Sequence, residues 1–221
     1  GVQTCALPIY SHRHAIPRLG LTGGIGAGKS TALAYLCELG AAVISSDDIV
    51  RGLYEQDEIV AAVRARFGDD VVDEERVNRS ALARVVFADQ HQLEWLERLL
   101  HPHVRASIET WARAKESDRN PSALLVAEVP LLFEAGLAGD FDFTMVITAP
   151  VDTRRRRLLA KFTVDDLDLR LSRQMPEEEK ATRADFLYLN VGSRRELREA
   201  LGEAVAQILS RHAGASIEAS L

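Results

Sequence analysis

Cysteine is scarce in this chain: Cys5 and Cys37 are the only two in 221 residues. Two cannot build a disulfide framework, so a reducing, cytoplasmic setting is expected. An excess of positive charge is missing as well. Lys and Arg number 27 against 33 Asp and Glu, for a net charge of −6. That balance argues against nucleic acid as a partner. It leaves nucleotides open, because a local phosphate site is compatible with an acidic protein. No apolar run approaches the roughly 18 residues that a spanning helix needs, so no membrane partner is expected. No internal repeat, low-complexity tract or Gly/Ser/Pro-rich linker divides the chain, which is expected to be a single domain over 18–212 with a tail fraying from about Ala213.

The first residues are set apart. Gly1 to Ile9, GVQTCALPI, resembles the translated read of a sequencing-library adapter. The stretch 1–17 is expected to be a non-native or disordered extension outside the folded domain. Cys37 is then the one native thiol, expected on an apolar helix face, buried and inert.

The strongest chemical signal is Gly23 to Ser30, GGIGAGKS, which fits G-x-x-x-x-G-K-[ST]. Such a loop curls its backbone N–H groups around phosphate oxygens, and a Cβ at its glycines blocks that approach. Lys29 is expected to reach the β- and γ-phosphates, and Ser30 to place its hydroxyl on Mg2+. The following helix adds partial positive charge at its N-terminus. The flanks agree: the apolar run Leu19–Thr22 precedes the loop, and Ser30–Leu39 follows with helical spacing and Gly40 as a stop.

Strands are expected at Arg18–Thr22, Ala42–Ser45, Ala123–Ala127, Thr144–Thr148 and Phe186–Leu189, with helical stretches between them. Such alternation predicts an α/β fold with a mainly parallel sheet, whose ligands sit beyond the carboxyl ends of the strands. The long gap after the second strand holds helical stretches over Asp48–Gln56, Glu58–Phe67, Ser80–Phe87 and Gln90–Lys115. His101-Pro102 should kink or break the last of them. This helical insertion, about 48–115, is the natural place for a second substrate.

Other residues carry two readings each. Asp47, after the second strand, suits a base that orients a hydroxyl acceptor, while Ser46, Asp47 and Asp48 also suit helix N-capping. Glu128 closes an apolar run, either as a Mg2+ ligand or as a loop acid. Arg154 to Arg157 point all round a helix, so a solvated face accounts for at least two of them while one or more pairs with phosphate. With Lys161, Arg170 and Arg173 they suit a basic lid, about 154–175, that excludes water. His101 and Arg105 lie four apart as either structural residues or substrate contacts. Trp95 and Trp111 are expected in the core.

In order along the chain, LGLTGGIGAGKST, VISSDDIVR, LLHPHV, EVPLLFEAGL and ADFLYLNVGS together resemble the dephospho-CoA kinase family, over about Leu19 to Leu209. The resemblance implies a P-loop NTPase three-layer fold with a parallel sheet of about five strands, a helical CoA-binding insertion and a lid. It implies transfer of the ATP γ-phosphoryl to the ribose 3′-hydroxyl of dephospho-CoA, the last step of CoA synthesis, with Mg2+. Carried over by matching motifs, ATP binding falls on Gly24, Ile25, Gly26, Ala27, Gly28, Lys29, Ser30, Thr31, Arg157 and Asn190. The acceptor falls on Asp47, His101, Arg105, Pro130 and Leu131, the metal on Ser30 and Glu128, and catalysis on Asp47 and Lys29. Asn190-Val191-Gly192 matches an N-x-G near the adenine. Asp47 matches the second acid of the family's D-A-D, whereas Ser45 and Ser46 replace its first two residues. Phe162-Thr163 stands where the family has Asp-Gly, in a lid about two residues short.

Two other readings stay open. One is a related small-molecule kinase of the nucleoside, nucleotide or sugar-acid type. The other is an inactive nucleotide-binding module. A guanine-specific switch is disfavoured because N-K-x-D is missing. A monomer or weak homo-oligomer is expected.

Overall fold

A computed structural model describes residues 3–4, 14–159 and 174–218. The lid positions Lys161, Phe162, Thr163, Arg170 and Arg173, with Cys5, lie outside the described residues.

The strands and helices in chain order are β1 (Gln3–Thr4), β2 (Arg18–Thr22), α1 (Lys29–Glu38), β3 (Ala42–Ser45), α2 (Ser46–Leu53), α3 (Asp57–Phe67), β4 (Val72–Asp73), β5 (Arg76–Val77), α4 (Arg79–Ala88), α5 (Gln90–Glu116), β6 (Leu125–Glu128), β7 (Phe143–Thr148), α6 (Val151–Leu158), α7 (Glu177–Arg183), β8 (Phe186–Leu189) and α8 (Arg194–Glu218). The chain forms two compact units, one of residues 1–44 with 112–221 and one of residues 45–111.

The first unit is built on a sheet in the order β1-β8-β7-β2-β6-β3. β2 lies between β6 and β7, parallel to both, and β8 runs parallel to β7. Every residue of β2 is buried, as expected for a central strand covered on both faces. The strand expected at Ala123–Ala127 begins instead at Leu125, because Arg18 pairs with Leu125 and Leu21 with Glu128. That register carries Glu128 into the end of the ladder. Leu19, Leu21, Val126, Met145, Ile147 and Phe186 pack with Leu36 of α1 and Leu201 and Ile208 of α8 in one core. The last helix continues to Glu218, past the Ala213 at which the sequence predicts fraying. At the amino end, Gln3–Thr4 pair antiparallel with β8. His14 Nδ1 lies 3.0 Å from the Asp142 carboxylate, four residues ahead of the domain start expected at Arg18.

The second unit contains α2, α3, the β4–β5 hairpin, α4 and most of α5. Gly68 ends α3 at φ 84, a conformation that favours glycine. The Asn78 side chain caps α4 by accepting from Ala81 N at 2.9 Å. α5 does not break at Pro102. The proline removes one backbone donor. Leu96, Leu100, Val104 and Ile108, buried at a spacing of four, hold one apolar stripe on both sides of it. Trp95 and Trp111 are half-buried rather than core, and Trp95 sits edge-on to Phe67.

Cys37 is exposed, not buried. α1 buries Lys29, Ala32 and Leu36, and Cys37 follows Leu36 by one residue, about 100° round the helix from that stripe. Among the described residues, no helix is long and apolar enough to cross a membrane.

Candidate active site

The phosphate loop leaves the carboxyl end of β2, the central strand, and runs directly into α1. Its shape comes from glycine at two positions above all. Gly23 stands at φ +142, and a Cβ there would lie 1.9 Å from the Ile147 carbonyl oxygen of the neighbouring strand. Gly28, the N-cap of α1, stands at φ +107, and a Cβ would lie 2.3 Å from Asn190 Nδ2. Within the loop Ala27 N donates to Gly24 O at 3.1 Å.

Lys29 is the first residue of α1 and only 9% exposed. Its ammonium folds back onto its own loop, donating to Gly24 O at 3.2 Å. Ser30 and Thr31, in the first turn, are exposed. A helix start leaves its first N–H groups without intrahelical partners, and these face an anion well.

Three side chains from distant sequence hold the loop from outside. Asn190, just past β8, donates through Nδ2 to Ala27 O at 2.7 Å. Arg157 donates to Gly26 O at 3.2 Å and to Asn190 O at 3.3 Å. Gln174 accepts from Ile25 N at 3.0 Å. Arg157 and Asn190, expected from the sequence to bind nucleotide, thus lie against Gly26, Ala27 and Gly28.

The arginine run divides by partner. Arg154 is buried, with Nε donating to Ala149 O at 3.0 Å and Nη1 3.8 Å from Glu177. Arg155 and Arg156 are exposed. Beside them Thr148, Pro150, Arg154, Gln174 and Glu177 line a cavity of about 650 Å³.

Glu128, at the end of β6, is 5% exposed. Among the described residues no three His, Cys, Asp or Glu gather as a metal-binding group. Mg2+ is commonly held by one or two carboxylates, substrate phosphates and water. A hydroxyl at Ser30 and a carboxylate at Glu128 fit that need without a protein cage.

Pro130 and Leu131, both half-buried, open the turn after β6. Pro130 O accepts from Thr22 Oγ1 at 3.1 Å and from Lys180 Nζ at 3.4 Å. No sequence motif points to Lys180, which is 0% exposed and lies 2.8 Å from Glu134. Its only local signal is an acid-rich helix start, EEEK, where a solvated lysine is the ordinary reading.

In the second unit, Asp47 is exposed in the first turn of α2. The N-cap is Ser45, with no side-chain cap bond, so neither Ser46, Asp47 nor Asp48 is the cap. Asp48 pairs with Arg51 at 2.6 Å. His101 is half-buried and Arg105 exposed, both on α5.

The family model for dephospho-CoA kinase matches residues 18–196. The dephospho-CoA kinase of Brucella melitensis is 35% identical over 200 residues, covering 90% of this chain and 98% of that one. The dephospho-CoA kinase of Thermus thermophilus is 36% identical over 192 residues, covering 86% and 91%. Among solved structures, that of TT1252 from Thermus thermophilus superimposes with a TM-score of 0.72 at 34% identity, covering 87% of this chain and 97% of that one.

Proposed function

The chain belongs to the dephospho-CoA kinase family and carries out ATP-dependent phosphorylation of dephospho-CoA, the last step of CoA synthesis; we propose that Asp47 takes the proton of the ribose 3′-hydroxyl while Lys29 and the loop amides hold the phosphoryl group. The fold is the P-loop kinase fold, a parallel α/β sheet with the phosphate loop after its central strand. ATP binds at that loop.

The transfer is an in-line displacement. The 3′-oxygen forms a bond to the γ-phosphorus as the bond from that phosphorus to the β–γ bridging oxygen breaks. ADP leaves, and the hydroxyl proton passes to the Asp47 carboxylate. Little covalent work falls to the protein, so positioning and charge stabilisation carry the rate. Lys29 is already folded over the loop, and its ammonium exchanges the Gly24 carbonyl for phosphate oxygen. Ser30 and Glu128 are the residues we assign to Mg2+, which when bound neutralises charge on the β- and γ-phosphates. His101, Arg105, Pro130 and Leu131 are assigned to the acceptor. The net charge of −6 supports a role without nucleic acid, and we place the enzyme in the cytoplasm as a monomer or weak homo-oligomer.

The observation that carries this reading is the loop itself, with glycines where a Cβ would strike neighbouring atoms and a lysine closing on the ring. The test is ATP turnover with Mg2+, with and without dephospho-CoA, identifying the product. ADP released only with the acceptor, together with CoA, is the expected result. ATP binding without CoA formation would overturn the assignment of the acceptor.

A further inference from the structure

We infer that Lys180 is a positioning residue for the acceptor, holding the Pro130–Glu134 turn in register from α7. This rests on the proposed acceptor contacts at Pro130 and Leu131.

Lys180 is wholly buried on α7, and its ammonium has two partners in the same turn. It lies 2.8 Å from Glu134 Oε1 and donates to Pro130 O at 3.4 Å. Each partner is held a second time. Glu134 Oε1 accepts from Met175 N at 2.9 Å, and the Glu134 side chain is 19% exposed. Pro130 O accepts from the Thr22 hydroxyl at 3.1 Å, and Thr22 is itself fully buried at the end of β2. One ammonium on α7 therefore bridges both ends of the turn, each of which a second segment also holds.

Energetics point to placement rather than bulk stability. Removing a lysine from water costs free energy that one partner at good geometry barely offsets, and an apolar pair of similar volume commonly serves a core as well. An apolar pair, however, cannot grip the Pro130 carbonyl or the Met175 amide. The phosphate loop keeps supports that do not involve Lys180, the Asn190 bond to Ala27 O, the Arg157 bond to Gly26 O and the Lys29 bond to Gly24 O; the Gln174 bond to Ile25 N stands beside Met175. Loss of Lys180 should thus fall chiefly on the acceptor.

The experiment compares wild type, Lys180→Met and the double variant Lys180→Met/Glu134→Met by steady-state kinetics against each substrate and by thermal melting. The double variant removes both charges together, so it keeps the test open if the single variant does not fold. The expected result for the double variant is a Tm near wild type, a KM for ATP within about threefold, and kcat/KM for dephospho-CoA lowered roughly 10²-fold, the scale of an ångström-level misplacement. Recovery of kcat/KM along with Tm would overturn the inference, leaving Lys180 a structural residue. So would equal losses for ATP and acceptor. Failure of the wild-type enzyme to make CoA is seen before any variant is compared, and overturns the acceptor reading and this inference with it.

Discussion

Asn190 and Ala27 lie 163 positions apart in the chain and are joined by a 2.7 Å hydrogen bond from the asparagine amide to the loop carbonyl. Asn190 is 8% exposed, and Asn190→Ala leaves the covered Ala27 carbonyl with the longer 3.4 Å bond from Arg157. The expected cost is about 1 kcal/mol, that of one hydrogen bond, read as a fall in Tm, with a raised KM for ATP. An unchanged KM would remove Asn190 from the nucleotide site.

Gly23→Ala tests the loop's entry. Its Cβ would meet the Ile147 carbonyl at 1.9 Å, and the atom in the way is backbone, which does not swing aside. Loss of ATP binding and a markedly lower Tm are expected in calorimetry. A variant that binds ATP normally would mean that the loop adopts another path.

Lys29→Ala is expected to lower kcat by roughly 10²–10³, the size seen when one transition-state donor is lost. Asp47→Asn should keep ATP affinity and lower kcat by roughly 10²–10⁴, as for a positioned base. If ATP binding falls together with the rate in the second variant, Asp47 acts in structure rather than chemistry.

Glu196 and Ser193 form a capping box at the start of α8: Glu196 N donates to Ser193 Oγ at 3.2 Å, and Ser193 N donates back to the carboxylate at 2.5 Å. The Ser193 backbone bond, then its side-chain bond, holds the Glu196 carboxyl below its ordinary value of 4.5. A lowered folded value means that the unfolded chain binds the proton first as pH falls. The contribution is therefore full above about 4.5 and is lost as pH drops through the lower folded value. The Tm gap between wild type and Glu196→Gln should narrow over that acid range. A gap constant from neutral pH to pH 3 or so would refute the linkage.

Deleting residues 1–9 removes the antiparallel pairing of Gln3–Thr4 but leaves β8 paired with β7. Unchanged kcat and Tm are expected. A fall in Tm beyond about 3 °C, near one kcal/mol for a chain this size, would make the segment part of the fold.

The phosphate loop was legible in sequence because its chemistry is local: glycines, Lys29 and Ser30 stand at fixed spacing between a strand and a helix. The central strand was legible because a buried parallel strand is a short apolar run. What escaped depends on partners distant in the chain. Nothing in Arg154 to Arg157 tells which arginine meets the Ala149 carbonyl and which meets Gly26. Cys37 looked apolar by type, but its angle on α1 turns it away from Ala32 and Leu36. The β4–β5 hairpin turns on Glu74 and Glu75 at φ 43 and 64, where turn chemistry ordinarily calls for Asn, Asp or Gly, so no turn signal marks it. Pro102 suggested a break that the buried stripe on either side overrides.

The span between Ala27 and Asn190 also sets an order of events during synthesis. The phosphate loop is among the first parts of the domain to leave the ribosome, yet the asparagine that holds its Ala27 carbonyl, with the neighbouring strand β8, is among the last. Parallel strands joined across such distances pair slowly, since a long loop must close before any contact rewards it. A nascent chain halted before residue 190 carries the whole nucleotide motif, with Arg157 and Gln174, and lacks the asparagine that braces Ala27. The loop's full set of braces is in this sense a property of the folded domain, complete only once β8 and Asn190 are in place rather than when the motif appears.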